Sequence, residues 1–291
     1  MTPAHFLTTL TLCAVGLIAG CGGGGSGSAR EAPGTVTVYA TGLNEPMHMV
    51  FDSSGNLYIA NNGDDNIAKV STAKSLSFIN SSTPGNWNNP IGVGFDGGTF
   101  YASITVGGQK GIWVINTVTG DANQPDTFNF TQSFNYSSFA FASGSEVFVA
   151  DQSNNSVDWA DSSLSLTSPT GVFYKDPFIY AVSYGNAGVI KKINAATKAD
   201  AGNLANTYVN PYAIAFDSQG NAYITEYGLN PNGSQSQISK VTSAGVKSVF
   251  ADATKGLCAS VGIAIRDDYV YVSNGTCPEP SKSNRILKIA I

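Results

Sequence analysis

The chemistry-bearing residues are few. His48 is the only histidine beyond the first twenty positions, since its companion is His5, and the four cysteines are Cys13, Cys21, Cys258 and Cys277. A single imidazole cannot supply a His-rich zinc site, and a general base in catalysis needs a partner that this sequence does not identify for His48. No Ser-His-Asp order, phosphate-binding glycine loop or organic-cofactor fingerprint is present; Gly22–Gly25 lacks the strand, lysine and helix context of such a loop. Trp87, Tyr184, Tyr212 and Tyr227 could supply aromatic platforms for a sugar or peptide, whereas Tyr58, Tyr101, Tyr180, Tyr223 and Tyr271 lie mid-strand and are expected to pack.

The composition narrows the function classes. The chain has 291 residues, 12% charged, 42% hydrophobic and 32 glycines, with a net charge of -5. Without clustered Lys or Arg there is no basic face to neutralise phosphates, which argues against nucleic acid. Few charges and many glycines point to an all-β chain rather than long helices, and the apolar content is too high for disorder.

The first twenty residues carry an apolar run from Phe6 to Ala19, short for a membrane span and suited to an export signal. It ends in Leu17-Ile18-Ala19-Gly20-Cys21, which resembles the lipoprotein box of bacteria and implies lipidation at Cys21. Residues 1–20 are then the signal peptide and 21–34 a lipidated cysteine with a Gly/Ser-rich flexible tether. Gly22 stands where inner-membrane lipoproteins tend to carry Asp, so the same resemblance favours the outer membrane, with the protein facing the periplasm or the exterior. Contact with the membrane is expected through the anchor alone. In that oxidising compartment Cys258 and Cys277, 19 positions apart, are expected to form a disulfide.

Residues 35–291 repeat. Pro46-Met47-His48-Met49-Val50-Phe51-Asp52, a Ser-Ser-Gly-Asn turn, Leu57–Asn61 and Asn66–Val70 recur almost position by position as Pro211–Asp217, a Ser-Gln-Gly-Asn turn, Ala222–Glu226 and Gln237–Val241. Short apolar runs bounded by Gly, Asn, Asp and Ser are strands joined by hairpins. The residues closing the first strand of each copy are Phe51, Phe95, Phe141, Tyr174, Phe216 and Ile265, spaced 33 to 49 apart. That spacing predicts a six-bladed β-propeller of four-stranded blades. The last copy stops one strand short, so Thr35–Ala40 is expected to complete it and close the ring.

Pro46–Val70 and Pro211–Val241 resemble NHL repeats: Pro, a small residue, an apolar strand ending in Asp, Gly-Asn, and a Tyr-containing strand. The resemblance implies a propeller of the NHL and gluconolactonase-like group, a scaffold with many occupations. On such a scaffold the start of each inner strand and the end of each second strand share one rim. The implied rim candidates are His48, Asn61, Asn62, Asp151, Tyr184, Tyr212, Glu226, Tyr227 and Asn274. Relatives with a calcium-dependent lactonase or esterase activity hold the metal at this mouth, which makes Asn61, Asp151, Glu226 and Asn274 the implied calcium ligands. The metal-binding Pro-Asn-Gly triplet of that group is absent; the matching triplets read Pro90-Ile91-Gly92, Pro169-Thr170-Gly171 and Pro211-Tyr212-Ala213. The expectation is therefore a binding or scaffolding module for a protein, peptide or glycan, without an organic cofactor, with the calcium hydrolase as the alternative. Asp52, Asp96 and Asp217 are expected to be turn residues.

Overall fold

In a computed structural model, the described residues are 30–291 apart from 83–85, 124–137, 143, 160–161 and 205–206. The expected signal peptide (1–20), Cys21 and most of the Gly/Ser segment lie outside them. Residues 32–291 form one compact unit.

Among the described residues there are six four-stranded antiparallel sheets. The N-terminal strand β1 (Val36–Ala40) belongs to the last blade. Blade 1 is β2 (Pro46–Phe51), β3 (Leu57–Asn61), β4 (Asn66–Val70) and β5 (Leu76–Ile79). Blade 2 is β6 (Trp87–Asp96), β7 (Thr99–Val106), β8 (Gln109–Ile115) and β9 (Ala122–Asn123). Blade 3 is β10 (Phe139–Phe141), β11 (Val147–Asp151), β12 (Ser156–Trp159) and β13 (Ser162–Ser165). Blade 4 is β14 (Pro169–Lys175), β15 (Phe178–Ser183), β16 (Val189–Asn194) and β17 (Asp200–Asn203). Blade 5 is β18 (Pro211–Phe216), β19 (Ala222–Glu226), β20 (Gln237–Val241) and β21 (Lys247–Ala251). Blade 6 is β22 (Ser260–Arg266), β23 (Tyr269–Asn274), β24 (Arg285–Ala290) and β1. Each inner strand touches the next, and β22 returns to β2. The six-bladed propeller expected from the repeat is the observed fold, and β1 closes it by pairing Val36 with Ile289 and Val38 with Leu287.

The Asp-x-x-Gly-Asn signature is a hairpin device. Asn56 donates its backbone N–H and its side-chain amide to the two carboxylate oxygens of Asp52, at 2.8 and 2.7 Å, and Asn221 treats Asp217 identically. Burial pushes these carboxyls up, but the donors from Asn56 and from Asn221 outweigh it and hold both below the usual range.

The core lies between blades. The mid-strand aromatic of one second strand packs on the residue that closes the next blade's inner strand: Tyr58 on Phe95 at 5.3 Å, Tyr101 on Phe141 at 4.7 Å, Tyr180 on Phe216 at 4.6 Å, and Tyr271 on Phe51 at 4.8 Å. Phe148 with Tyr174, and Tyr223 with Ile265, share the clusters at the other two interfaces.

Because β1 covers the outer edge of β24 and seats Val36 against the blade 6 cluster, deleting residues 35–40 should lower the melting midpoint. Each kcal/mol lost is worth about 2–4 °C at this size. An unchanged midpoint in scanning calorimetry would count against closure by this strand.

Candidate functional site

The residues ending the second strands were expected to face a ligand, and the structure corrects this. Asn61, Asp151, Glu226 and Asn274 are each fully buried, and their polar atoms are occupied within their own blades. Asn61 accepts from the Asn44 N–H at 2.7 Å and donates to Asp64 and Asn66. Glu226 accepts from the Val209 N–H at 2.6 Å, from Gln237 and Ser239, and pairs with the Lys247 ammonium at 3.2 Å. Asn274 accepts from the Cys258 N–H and the Ser260 hydroxyl, and donates to the carbonyls of Gly256 and Lys282. In blade 4 the equivalent Ser183 donates to the Thr167 carbonyl at 2.6 Å.

The backbone partner is in each case two residues ahead of the inner strand: Asn44 before Pro46, Thr167 before Pro169, Val209 before Pro211, Cys258 before Ser260. The second-strand terminus thus pins the loop that delivers the inner strand. Asp151 is spent on its own turn, accepting from Ser153 and Asn154. Calcium needs six to eight free oxygens; these four residues do not fit it, and among the described residues no three His, Cys, Asp or Glu side chains gather as a metal cluster would require. Asn62 is likewise a brace, donating to the Pro90 carbonyl of blade 2 at 3.2 Å.

His48 is placed differently. The third residue of the inner-strand motif is His48, Gly92, Ser138, Gly171, Ala213 and Gly262 in blades 1 to 6, five small residues and one imidazole. The small residues are required where blades converge: a Cβ on Gly262 would lie 2.2 Å from the Met47 carbonyl oxygen, and one on Gly171 2.6 Å from that of Tyr212. Blade 1 stands opposite blade 4 in a ring of six, and the His48 ring crosses to it, with Nε2 3.2 Å from the Thr170 carbonyl oxygen. A carbonyl only accepts, so Nε2 carries the proton and Nδ1 keeps its lone pair. Below this mouth is a cavity of about 330 Å³ walled by all six inner strands, in which His48 and Ser138 stand among mainly apolar neighbours. The imidazole keeps part of its surface accessible and is desolvated by the strands packed around the rest. That burial pushes its pKa down to about 4 against the opposing bond to Thr170, so it is neutral at pH 7.

Thr170 continues the chain of contacts. Its hydroxyl donates toward the carbonyls of Pro211 and Tyr212, at 3.2 and 3.0 Å. The Tyr212 ring lies 5.4 Å from Tyr184 and 5.9 Å from Tyr227, and burial, with Tyr184 and Tyr227 beside it, pushes its hydroxyl up to about 12. Tyr227 packs in turn on Cys258, Ala259 and Cys277. Both cysteines are buried thiols; burial first, then the hydrogen bond with Cys277, pushes Cys258 up to about 12. Thr170 thus links two uncharged groups through backbone carbonyls, the His48 ring of blade 1 and the Tyr184–Tyr212–Tyr227 cluster of blades 4 and 5; of these residues only His48 lines the cavity. Thr170 was not among the expected site residues, although its place between Pro169 and Gly171 marks the position that faces a neighbouring blade.

The fold has many solved counterparts. A gluconolactonase from Xanthomonas campestris superimposes with a TM-score of 0.69 at 9% identity, covering 90% of this chain and 91% of that one. A PQQ-bound aldose sugar dehydrogenase from Streptomyces coelicolor gives 0.66 at 14%, over 90% and 99%. Virginiamycin B lyase from Staphylococcus aureus, a catalytically inactive variant with quinupristin, gives 0.60 at 16%, over 84% and 80%. The likeness is one of fold. No family model matches the chain, and no curated protein matches it.

The His48 ring makes a distinct contribution to acid sensitivity. Its folded pKa of about 4 lies below its unfolded value of about 6.5, so as pH falls the unfolded chain takes up the proton first. Stability is then lost between about pH 6.5 and 4, whereas the depressed carboxyls of Asp52 and Asp217 lose theirs only below about 4. Denaturant titrations at pH 7 and 4.5 should show a smaller loss for His48→Gln than for the parent; equal losses would place the ring in solvent.

Proposed function

We propose that this chain is an exported, lipid-anchored propeller of the NHL type, acting as a binding module in the bacterial cell envelope. Its ligand is neutral and hydroxyl-bearing, a glycan being the class that fits best. The observation that supports this reading is a cavity with no ionised group in its wall, lined by His48, whose Thr170 contact leads through the Tyr212 backbone to the uncharged Tyr184–Tyr212–Tyr227 cluster. Tyrosine rings stack on apolar sugar faces, and a neutral imidazole accepts a hydroxyl hydrogen bond through Nδ1; no charge is desolvated in the process.

Lactone or ester hydrolysis is the second reading, supported by the fold-level likeness to a gluconolactonase. Calcium does not fit the residues present, so the proton acceptor would be His48. A base with a pKa near 4 is neutral but weak at pH 7, far from the matched value that general-base catalysis favours. That mismatch favours binding, while the solved counterparts favour the hydrolase.

Thermal melts of the mature chain separate the two, because a ligand that binds only the folded state raises the midpoint by mass action. Neutral oligosaccharides should raise it, the rise should vanish in Tyr212→Ala, and calcium against chelator should leave it unchanged. A rise with calcium, together with turnover of lactones, would transfer the assignment to the hydrolase.

The adjacent Cys258 and Cys277 thiols are read as a disulfide in the exported protein, closing a segment of about 20 residues beside Tyr227 and adding about 3 kcal/mol on the chain-entropy scale. Non-reducing peptide mapping of envelope material should recover the two cysteines linked; two alkylatable thiols would refute the bridge.

A further inference from the structure

Among the described residues, the outer strands of the propeller differ in character from one side of the ring to the other. One hydrogen-bonded rung crosses each blade from the channel outward, and equivalent rungs can be matched by register. In blade 1 it runs Met49, Ile59, Ala68, Phe78; in blade 5 Ile214, Ile224, Ser239, Val249; in blade 6 Ile263, Val272, Leu287, Val38. The outermost members, Phe78, Val249 and Val38, are 41%, 56% and 51% exposed, and Val246 beside β21 is 63% exposed. The same rung ends in Ser163 in blade 3 and in Asn203 in blade 4; in blade 2 it would end outside the described residues. These four exposed apolar side chains sit on three consecutive blades, 5, 6 and 1, and polar residues hold the equivalent place on blades 3 and 4; the other exposed large apolar side chains among the described residues, Val118 and Leu229, lie off the outer strands, in the turn between β8 and β9 and in the loop after β19.

The middle blade of the apolar group is the one whose outer strand is β1, and the compact unit begins just ahead of it at Ala32, with the Gly34 N–H bonded to the Ala290 carbonyl of that blade at 2.8 Å. Residues 22–31, ten in number, separate Cys21 from the compact unit. A Gly/Ser-rich chain of that length has a root-mean-square span of about 17 Å and reaches at most about 35 Å fully extended. A lipid on Cys21 would hold β1 within that distance of the bilayer and keep the local concentration of lipid surface around blades 5, 6 and 1 high, so that a weak apolar contact suffices.

Resting on the lipid-anchor reading, we infer that the outer strands of blades 5, 6 and 1 form a membrane-facing girdle, with Val38, Phe78, Val246 and Val249 seated at the boundary between headgroups and acyl chains. Apolar side chains partition to that interface in proportion to the area they bury. The polar girdle of blades 3 and 4 then faces away. With the ring standing on its side, the axis of the channel lies along the surface and the His48 mouth remains open to solvent.

The test uses the full lipidated chain in vesicles of phosphatidylethanolamine and phosphatidylglycerol, with part of the lipid brominated near the top of the acyl chains. Trp87, Trp113 and Trp159 are buried and give a constant background. Tryptophan introduced as Phe78→Trp or Val249→Trp should lose emission to the brominated lipid, and Ser163→Trp or Asn203→Trp should not. Hydrogen exchange on the unsubstituted chain gives a second readout, with added protection on vesicles expected in β5, β21 and β1 but not in β13 or β17. Flotation of the parent against Cys21→Ser reports the anchor separately. If the parent floats and the quenching is equal at all four positions or missing at 78 and 249, the girdle is overturned and the anchor stands. If the parent does not float, the anchor reading fails and the girdle falls with it. Protection of β5 and β21 that depends on protein concentration and persists without lipid would make a second copy of the chain the occupant, which also overturns the inference.

Discussion

The structure depends on one arrangement repeated six times: the aromatic side chain in the middle of a second strand, clustered with the residue that closes the inner strand of the following blade. Four of these are aromatic pairs with centroids 4.6 to 5.3 Å apart, and Phe148–Tyr174 and Tyr223–Ile265 take the same place in the remaining interfaces. Such pairs are worth about 0.5–1.5 kcal/mol each beyond the area they bury. Their larger effect is geometric. A four-stranded blade is apolar on both faces and cannot bury them alone; each interface turns one blade against the next, and the ring closes when β1 completes blade 6.

Closing the ring constrains what can occupy its centre. Six inner strands converge, and where they converge the third residue of the motif has room for little more than a hydrogen or a methyl group, as the positions of Gly171 and Gly262 against neighbouring carbonyls show. His48 is tolerated because it lies across the opening toward Thr170 rather than into its neighbour. The inner strands must also begin in the right place, and that task consumes the side chains at the ends of the second strands. Asn61, Glu226 and Asn274 hold the loops at Asn44, Val209 and Cys258. A side chain bonded on all its oxygens to backbone and ammonium donors is a bracket, and withdrawing it to ligate a metal would leave buried N–H groups without partners.

The fold was legible because a repeat states its own geometry. The strand bounds of blades 1 and 5, the hairpin role of Asp52 and Asp217, the packing role of the mid-strand tyrosines and closure by the N-terminal strand all follow from spacing and turn chemistry. The site was legible only in part. Tyr184, Tyr212 and Tyr227 were placed on one rim, but that Thr170 joins them to His48 depends on an approach across the ring from blade 1 to blade 4, which no local pattern encodes. The reading of Asn61, Asp151, Glu226 and Asn274 failed for a related reason. Sequence position put them on the correct rim, whereas burial and hydrogen bonding, which decide whether an oxygen is free, depend on the loop two residues ahead of each inner strand.

In a repeat, the copies control for one another. A residue that recurs from blade to blade serves the blade: the turn Asp of blades 1, 2 and 5, the mid-strand aromatic of the second strand, the small residue where strands converge. A residue that one copy changes without loss of the fold is free to serve something else. By that criterion His48 stands out among Gly92, Ser138, Gly171, Ala213 and Gly262, because the position admits small residues elsewhere and fills with a neutral imidazole once. The outer rungs show the same logic in a different chemistry. An exposed strand edge is ordinarily kept polar or charged to prevent pairing with another chain, as at Ser163 and Asn203. Among the described residues, apolar exposure at Val38, Phe78 and Val249 departs from that rule on the neighbouring blades 5, 6 and 1, and a departure grouped in space around β1 is more readily produced by a shared surface than by three unrelated substitutions. The two departures lie at opposite radii of the ring, one at its centre and one at its rim. A ligand bound at the centre would therefore leave the outer strands of blades 5, 6 and 1 uncovered.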